Sequence, residues 1–382
     1  LADMDGDSDL DIVTGNDDLQ PNVVYHNDGA GVFYELTQPS DIDYTPTDMA
    51  MADIDDDGDL DMLLIEDWSY PLIRLNNGNG EFVDDQSLFT NLSNVTSAAF
   101  GDVDNDGDPD LVLGAGDDFF FEPTPIPNTV FINNDGVFED SGQLLGDGIT
   151  ESIALGDVNQ DGSLDIIAGN QGANKIWLND GSGTFSDSGQ MLGTSGTVNI
   201  ALGDIDNDND LDFITANDDN SVFVWLNNGS GEFTDAGVAL STGFDVALGD
   251  IDGDNDLDLV TARGGGNKVW FNNAGTFIDS GQLLSGNVTS AIVLGDMDND
   301  GDLDIVSANE GIGGTITIPN RIWLNNGSGT FSDSMQRLGS GHTTQIVLGD
   351  IDGDSDLDIL AGNADGNYKQ ENRIYRNLSF TK

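Results

Sequence analysis

The sequence predicts an all-β fold: a β-propeller of four-stranded blades, eight-bladed on the repeat count, with seven blades as the alternative. Three observations predict it. An acidic nine-residue loop occurs eight times, beginning at Asp3, Asp53, Asp102, Asp157, Asp204, Asp250, Asp296 and Asp350, at offsets of 50, 49, 55, 47, 46, 46 and 54 residues. Each loop is followed by a short apolar strand ending in Asn, and then by Gly-x-Phe at Phe33, Phe82, Phe138, Phe185, Phe233, Phe277 and Phe331, the eighth copy offering Ser379-Phe380. Of 71 acidic residues 62 are Asp, a poor helix former and a good turn former. Short strands, tight Gly/Asn/Asp turns and this period fit one four-stranded blade per repeat. A stack of helical repeats would need a 3.6-residue periodicity, which is absent.

Within a repeat the elements follow in order. Segment one is apolar, as in Ala291–Leu294 or Ile346–Leu348. The acidic loop comes next, and segment two leaves it, as in Leu303–Ser307. Segment three carries an aromatic residue, as in Arg321–Leu324, at a position held by Tyr25, Phe131, Trp177, Trp225, Trp270, Trp323 and Tyr375. That aromatic is read as packing between blades, and the Asn that follows as a turn former. Segment four begins at Gly-x-Phe. Eight copies occupy all 382 residues as one domain, with approximate blades at 1–45, 46–93, 94–148, 149–195, 196–242, 243–286, 287–341 and 342–382. The first copy lacks an opening strand before Asp3 and the last lacks most of its closing strand, which predicts either an imperfectly closed ring or a sequence trimmed at its ends.

The loop has the form D-x-D-x-D-x-D-L-D. Its candidate metal ligands are Asp3, Asp5, Asp7, Asp9 and Asp11 in blade one, Asp53, Asp55, Asp57, Asp59 and Asp61 in blade two, and Asp102, Asp104, Asp106, Asp108 and Asp110 in blade three. Blade four offers Asp157, Asn159, Asp161, Ser163 and Asp165, and blade five Asp204, Asp206, Asp208, Asp210 and Asp212. Blade six offers Asp250, Asp252, Asp254, Asp256 and Asp258, blade seven Asp296, Asp298, Asp300, Asp302 and Asp304, and blade eight Asp350, Asp352, Asp354, Asp356 and Asp358. Of these 40 places 38 are Asp, Asn159 and Ser163 being the exceptions. Asp at positions one, three and five puts three carboxylates on the concave side of a tight loop. Position seven can add a backbone carbonyl, and the Asp at nine closes an all-oxygen shell of the kind Ca²⁺ takes. Position six is Gly, Asn or Ser, as a left-handed turn requires of the first two. Up to eight Ca²⁺ are expected, one per loop. Mg²⁺ suits such a cage less well, because it keeps its water. A small residue, Ala2, Ala52 or Gly, precedes every first Asp.

These residues resemble the FG-GAP/VCBS repeat family, which includes the integrin α-subunit propeller. The markers are the loop from Asp296 to Asp304 and the run Asn326-Gly-Ser-Gly-Thr-Phe331. The resemblance implies Ca²⁺ in the loop joining the first two strands of each blade, held by side chains at one, three, five and nine and the carbonyl at seven. It also implies an extracellular or cell-surface setting.

Composition closes off several functions. Ten Lys and Arg against 71 acids, a net charge of −61, leave no basic face for nucleic acid or anionic lipid. With no Cys there is no disulfide or thiolate site, and the two His, His26 and His342, lie far apart in sequence. No apolar run is long enough for a membrane span.

Function is expected in irregular insertions between segments two and three, Glu66–Leu72, Gly114–Asn128, Glu310–Asn320 and Asn363–Asn372, on the face opposite the acidic loops. They carry the candidate ligand face Trp68, Tyr70, Phe119, Phe120, Phe121 and Tyr368. Loops on a rigid scaffold commonly carry recognition, and clustered aromatics make contact surfaces. The competing reading is that they fold back to plug the ring's channel. The expected function is recognition or adhesion toward a glycan or protein partner. The alternatives are a structural subunit of a surface layer or fibre, with self-assembly through Ca²⁺, and a calcium-dependent enzyme resembling a polysaccharide lyase. An enzyme is not expected: a lyase needs a cation for the uronate and a base, and no catalytic pair stands apart from the repeat.

Overall fold

Asp165 opens the second strand of blade four, and its pairing with Gly156 sets the register of the sheet. From there Ile166 lies opposite Trp177, and Asn179 opposite Phe185. The four strands Thr150–Gly156, Asp165–Asn170, Lys175–Asn179 and Phe185–Asp187 lie side by side in chain order, all antiparallel. The computed structural model describes residues 1, 10–14, 23–27, 33–36, 46–66, 70–77, 82–85, 92, 94–116, 126–237, 240–241, 243, 245–262, 265–284, 288–310, 318–339, 343–349, 356–363 and 373–375.

Among these residues there are eight sheets, one per acidic loop, and no helix. The first and last show three strands, and blade five shows five because Leu240–Ser241 pairs with Ser221–Asn227; the others show four. The expected segments fall where the sequence put them. Ala291–Leu294 lies inside Val288–Gly295, and Arg321–Leu324 is a strand with those bounds. Segment two starts one residue late, at Asp304, because Leu303 still belongs to the loop and Asp304 is the residue that pairs with Gly295. The inner strand carries a bulge at one site in six blades, between Pro46/Asp48, Val95/Ser97, Thr150/Ser152, Thr197/Asn199, Thr289/Ala291 and Thr343/Gln345. Such a bulge raises local twist.

The core lies between blades. Segment two of blades three, four and five is buried at every position, which explains its run of β-branched and apolar residues. One cluster joins Val103, Val112, Val130 and Leu145 of blade three to Ile153, Ile166, Trp177 and Phe185 of blade four. The aromatic position packs on the preceding blade, as expected. Phe131 meets Ile54 and Leu63, Trp225 meets Val158 and Ile167, and Trp323 meets Ile251 and Val260. Each such ring buries apolar area worth roughly 4–6 kcal/mol before opposing terms.

The small residue before each first Asp has a packing cause. A Cβ on Gly203 would stand 2.6 Å from Leu257 Cδ1, and one on Gly295 would stand 2.6 Å from Leu348 Cδ1 and 2.8 Å from Leu357 Cδ1. In each case the next blade's leucines fill the space. Gly349 of blade eight meets Leu1 and Leu10 of blade one in the same way, at 2.8 and 2.9 Å. At this position blade eight meets blade one as blade seven meets blade eight, with Leu1 in the place of Leu348 and Leu10 in that of Leu357. Among the described residues no helix is long and apolar enough to cross a membrane.

Candidate metal centres

The acidic loop is built from its first Asp inward. Asp102 Oδ1 accepts the N–H of Asp106 and Oδ2 that of Gly107, both at 3.1 Å; Asp296 takes the N–H groups of Asp300 and Gly301 at 3.1 and 2.9 Å. The fifth residue then takes the N–H of the seventh, as Asp300 does from Asp302 at 3.1 Å. Position six is left-handed as expected, at Gly58, Gly107, Gly162, Asn209, Asn255 and Gly301. Position four is left-handed too, at Asp56, Asn105, Gln160, Asn207, Gly253 and Asn299. That second turn was not anticipated, although Asn, Asp and Gly at position four carried the signal.

This winding brings carboxylates together. Ligand oxygens of Asp53, Asp55 and Asp57 lie within 4.8 Å of one another, as do those of Asp250, Asp252 and Asp254, and of Asp296, Asp298 and Asp300. In two further loops the convergence runs through position nine: Asp102, Asp104 and Asp110, and Asp204, Asp206 and Asp212. Paired charges near 4 Å repel by about 1–4 kcal/mol between bulk-water and surface-like dielectric. Burial, with the neighbouring carboxylates next, pushes the position-three carboxyls Asp55, Asp104, Asp206, Asp252 and Asp298 upward. Two of their oxygens, Asp55 Oδ1 and Asp206 Oδ1, are buried and have no hydrogen-bond partner. A cation at the cluster would satisfy both, so the donor set fits Ca²⁺.

Position nine is the deepest member. Asp61, Asp110, Asp165, Asp212, Asp258 and Asp304 have no exposed surface. Each takes at least two backbone N–H groups, and Asp110 three, from Val103, Asp104 and Asn133. Asp212 Oδ2 accepts from Ile205 at 2.8 Å and Oδ1 from Asn227 at 2.7 Å. Burial outweighs these donors and raises all six carboxyls to about 6.

Position seven turns elsewhere. Asp108 Oδ2 accepts from Asp135 N at 2.8 Å and Asp256 Oδ2 from Ala274 N at 3.0 Å, in their own third-to-fourth strand turns. The preceding blade also reaches this residue: Gln160 donates to Asp210, Asn207 to Asp256 and Asn299 to Asp356. These carboxylates serve the joints between loops. In blade four Asn159 Oδ1 accepts from Asp161 N at 3.0 Å, as Asp104 does from Asp106 at 3.2 Å, so Asn keeps the turn with one charge fewer.

Two sets of joint residues were missed or misread. The Asn ending segment three is more than a turn former. Its Nδ2 crosses to the preceding blade: Asn133 to Ile54 O at 2.7 Å, Asn227 to Val158 O at 2.7 Å, Asn272 to Ile205 O at 2.6 Å and Asn325 to Ile251 O at 2.7 Å. The second set is Gln143, Gln190 and Gln282. Gln190 Nε2 donates to Gly231 O at 2.6 Å and its Oε1 accepts from Phe233 N at 2.7 Å in the next blade. The recurring Ser-Gly-Gln triplet was their sequence signal.

Several candidates lie outside the described residues: Asp3, Asp5, Asp7, Asp9, Asp350, Asp352 and Asp354 of the first and last loops, and Trp68, Phe119, Phe120, Phe121 and Tyr368 of the ligand face. Asp11 and Asp358 are described and buried, and Tyr70 is 48 % exposed. Four of the ten bases pair with Asp: Lys175 with Asp187 at 3.0 Å, Lys268 with Asp279 at 2.7 Å, and Arg321 and Arg337 with Asp333 at 3.5 and 2.7 Å.

The model of the FG-GAP-like repeat matches residues 3–64, 53–113, 157–215, 204–261, 250–307 and 296–361. Among solved structures, the chain is similar to an Agrocybe aegerita lectin described as recognising non-reducing terminal N-acetylglucosamine, at 20 % identity and a TM-score of 0.53, over 84 % of this chain and 88 % of that one. It is also similar to BBS1N in a complex with ARL6DN, at 14 % identity and a TM-score of 0.52, over 84 % of this chain and 90 % of that one. Among curated proteins none matches the chain.

Proposed function

The chain belongs to the FG-GAP-like repeat family, and on that footing we propose that it is an extracellular or cell-surface calcium-binding β-propeller acting as a recognition and adhesion module for a glycan or protein partner. One observation carries the calcium part: three carboxylates converge within 4.8 Å in each of five loops, and in two of them a buried oxygen is left for a cation. Ca²⁺ accepts six to eight oxygens in flexible geometry, which suits a loop that offers several carboxylates and carbonyls; Mg²⁺ would have to shed water it holds tightly.

Recognition is supported by architecture. Cation-tied loops and inter-blade amides fix one face and free the opposite face for variable insertions. Propellers of similar fold include a glycan-recognising lectin and a partner of ARL6DN, so the scaffold serves either class of ligand. A non-catalytic reading is favoured by the bases, since Lys175, Lys268, Arg321 and Arg337 are each held by Asp rather than offered to a substrate.

The test is a glycan array run beside size-exclusion chromatography, each with and without Ca²⁺. Calcium-dependent binding by a monomer supports the module. Calcium-driven assembly with an empty array, and no protein captured, would replace it with a surface-layer or fibre subunit. Replacing Phe119, Phe120 and Phe121 together by Ser separates the insertion face from the fold: lost binding with unchanged calcium content places the ligand there, whereas lost folding favours a plug.

A further inference from the structure

Asn-Gly occurs four times, at Asn77, Asn79, Asn228 and Asn326. The last two open the turn between the third and fourth strands of blades five and seven, on the acidic-loop face, and both are exposed. In each the side chain folds back over the following peptide as an Asx turn. Asn228 Oδ1 accepts from Ser230 N at 3.0 Å and from Ser230 Oγ at 2.6 Å. Asn326 Oδ1 accepts from Ser328 N at 3.2 Å, Ser328 Oγ at 2.8 Å and Thr330 N at 3.3 Å. Gly229 and Gly327 follow in the left-handed region, both at φ 74°.

The glycine nitrogen sets these two turns apart. In blades three, four and six the Asn that ends segment three accepts from the turn glycine: Asn133 from Gly136, Asn179 from Gly181 and Asn272 from Gly275. In blades five and seven that Asn takes the N–H of the residue after it, Asn227 from Asn228 at 2.9 Å and Asn325 from Asn326 at 2.8 Å. Among the described residues nothing accepts the N–H of Gly229 or Gly327.

These are the parts of an intramolecular acyl transfer. The nucleophile is the free glycine nitrogen, whose residue has no Cβ to block the approach. The electrophile is Cγ of the preceding Asn, which the Asx turn carries back toward that nitrogen. Donors already aimed at Oδ1 stabilise the oxyanion that forms when the nitrogen adds. The new N–Cγ bond closes a succinimide, the Cγ–Nδ2 bond breaks, and Nδ2 leaves with the glycine proton as ammonia. Water then opens the ring at either carbonyl, to aspartate or isoaspartate. We propose that Asn228 and Asn326 are sites of spontaneous deamidation in the folded protein. The aspartate product has a precedent in blade four, where Asp180 Oδ1 accepts from Ser182 N and Oγ at 3.0 and 2.7 Å. Isoaspartate lengthens the backbone of a turn that docks on the preceding blade, where Gln190 Nε2 donates to Gly231 O at 2.6 Å and Gln282 Nε2 to Gly329 O at 2.7 Å.

The test ages the full chain in Ca²⁺ at neutral pH beside synthetic peptides spanning Leu226–Phe233 and Leu324–Phe331. Peptide mapping by mass spectrometry, with fragmentation that separates aspartate from isoaspartate, gives the rate at each Asn. Each folded site should convert about ten-fold faster than its peptide or more. Ser230→Ala and Ser328→Ala, which remove one donor to Oδ1, should slow the folded sites by about ten-fold and leave the peptides alone. Ser230→Thr, which keeps the hydroxyl, should keep the parental rate, and melting curves verify that each variant is folded. Chain aged to isoaspartate should melt below the Asn228→Asp, Asn326→Asp double variant, which has the charge without the longer backbone. A folded rate equal to or below the peptide rate means that the turn protects its amide and overturns the proposal. A folded rate that neither Ser→Ala change slows overturns it as well.

Discussion

Asn179 donates its side-chain N–H to the carbonyl of Val103 in the preceding blade at 2.6 Å, while its backbone N–H is held by Asp165 Oδ1 at 2.8 Å. Val103 is the second residue of the acidic loop in blade three, and Asp165 is the ninth in blade four. One amide thus ties the deep end of one loop to the mouth of the loop before it. The same link runs from Asn133 to Ile54, Asn227 to Val158, Asn272 to Ile205 and Asn325 to Ile251. The acidic loops are therefore a mechanically connected row rather than separate turns.

Asn179→Ala should cost about 1–3 kcal/mol, because it removes the amide's bonds to the Val103 and Leu164 carbonyls and the acceptor for Gly181 N, leaving Val103 O with the Gly183 N–H alone. It should also weaken calcium at two loops, those beginning at Asp102 and Asp157. Chemical denaturation and calcium titration by calorimetry check both effects. A change confined to stability, with calcium affinity intact, would mean that the amide joins blades without coupling their loops.

Gly349 tests how the ring closes. A methyl at that position would press on Leu1 Cδ1 and Leu10 Cδ1 at 2.8 and 2.9 Å. Overpacking of this kind costs about 1–3 kcal/mol. Gly349→Ala should lower Tm as much as Gly203→Ala does, whereas Gly172→Ala, which would meet nothing within 4 Å, should not. A silent Gly349→Ala beside a damaging Gly203→Ala would show that blades eight and one do not pack as neighbours.

The repeat made much of this legible. Strand positions followed from apolar segments beside an Asp-rich loop, since alternation and turn residues are local properties. Position six of the loop was readable for the same reason. What stayed hidden depends on the neighbouring blade. Nothing in Asn227 itself reveals that Val158, 69 residues earlier, needs a donor. The small residue before each first Asp was visible as a pattern without a cause; the cause is a leucine pair one blade on, as at Gly249 with Leu303 and Leu294.

The pH dependence should invert with calcium. Burial raises Asp61, Asp110, Asp165, Asp212, Asp258 and Asp304 to about 6, against about 3.9 for an unfolded Asp. The folded state then binds more protons than the unfolded one between those values, so stability of the calcium-free protein falls as pH rises from about 4 to about 6. Calcium competes with those protons, so its stabilising increment should grow over the same window. Melting of calcium-stripped and calcium-loaded protein across this range checks the sign. A calcium-free Tm that rises from pH 4 to pH 6 would count against it.

Removal of calcium is the broadest expectation. A ligand that binds only the folded state stabilises it by roughly 2.7 kcal/mol per site at a hundred-fold excess over Kd. Several filled loops would together exceed the usual net stability of a domain, about 5–15 kcal/mol. The protein in EGTA at low ionic strength should therefore be unfolded or loosely packed, with millimolar Ca²⁺ restoring a cooperative melt. Added NaCl should recover part of the loss by screening the −61 charge. Blade four should release its ion first, because Asn159 takes the place of a carboxylate and Ser163 removes a nearby charge. Asp300→Ala removes a member of the cluster formed with Asp296 and Asp298. It should lower calcium stoichiometry by one and loosen blade seven with its neighbours, since a blade packs only on the blades beside it. Native mass spectrometry counts the ions, and hydrogen exchange locates the loosening. A melting curve indifferent to EGTA, with no bound calcium in the mass spectrum, would reduce these loops to hydrogen-bonded acidic turns.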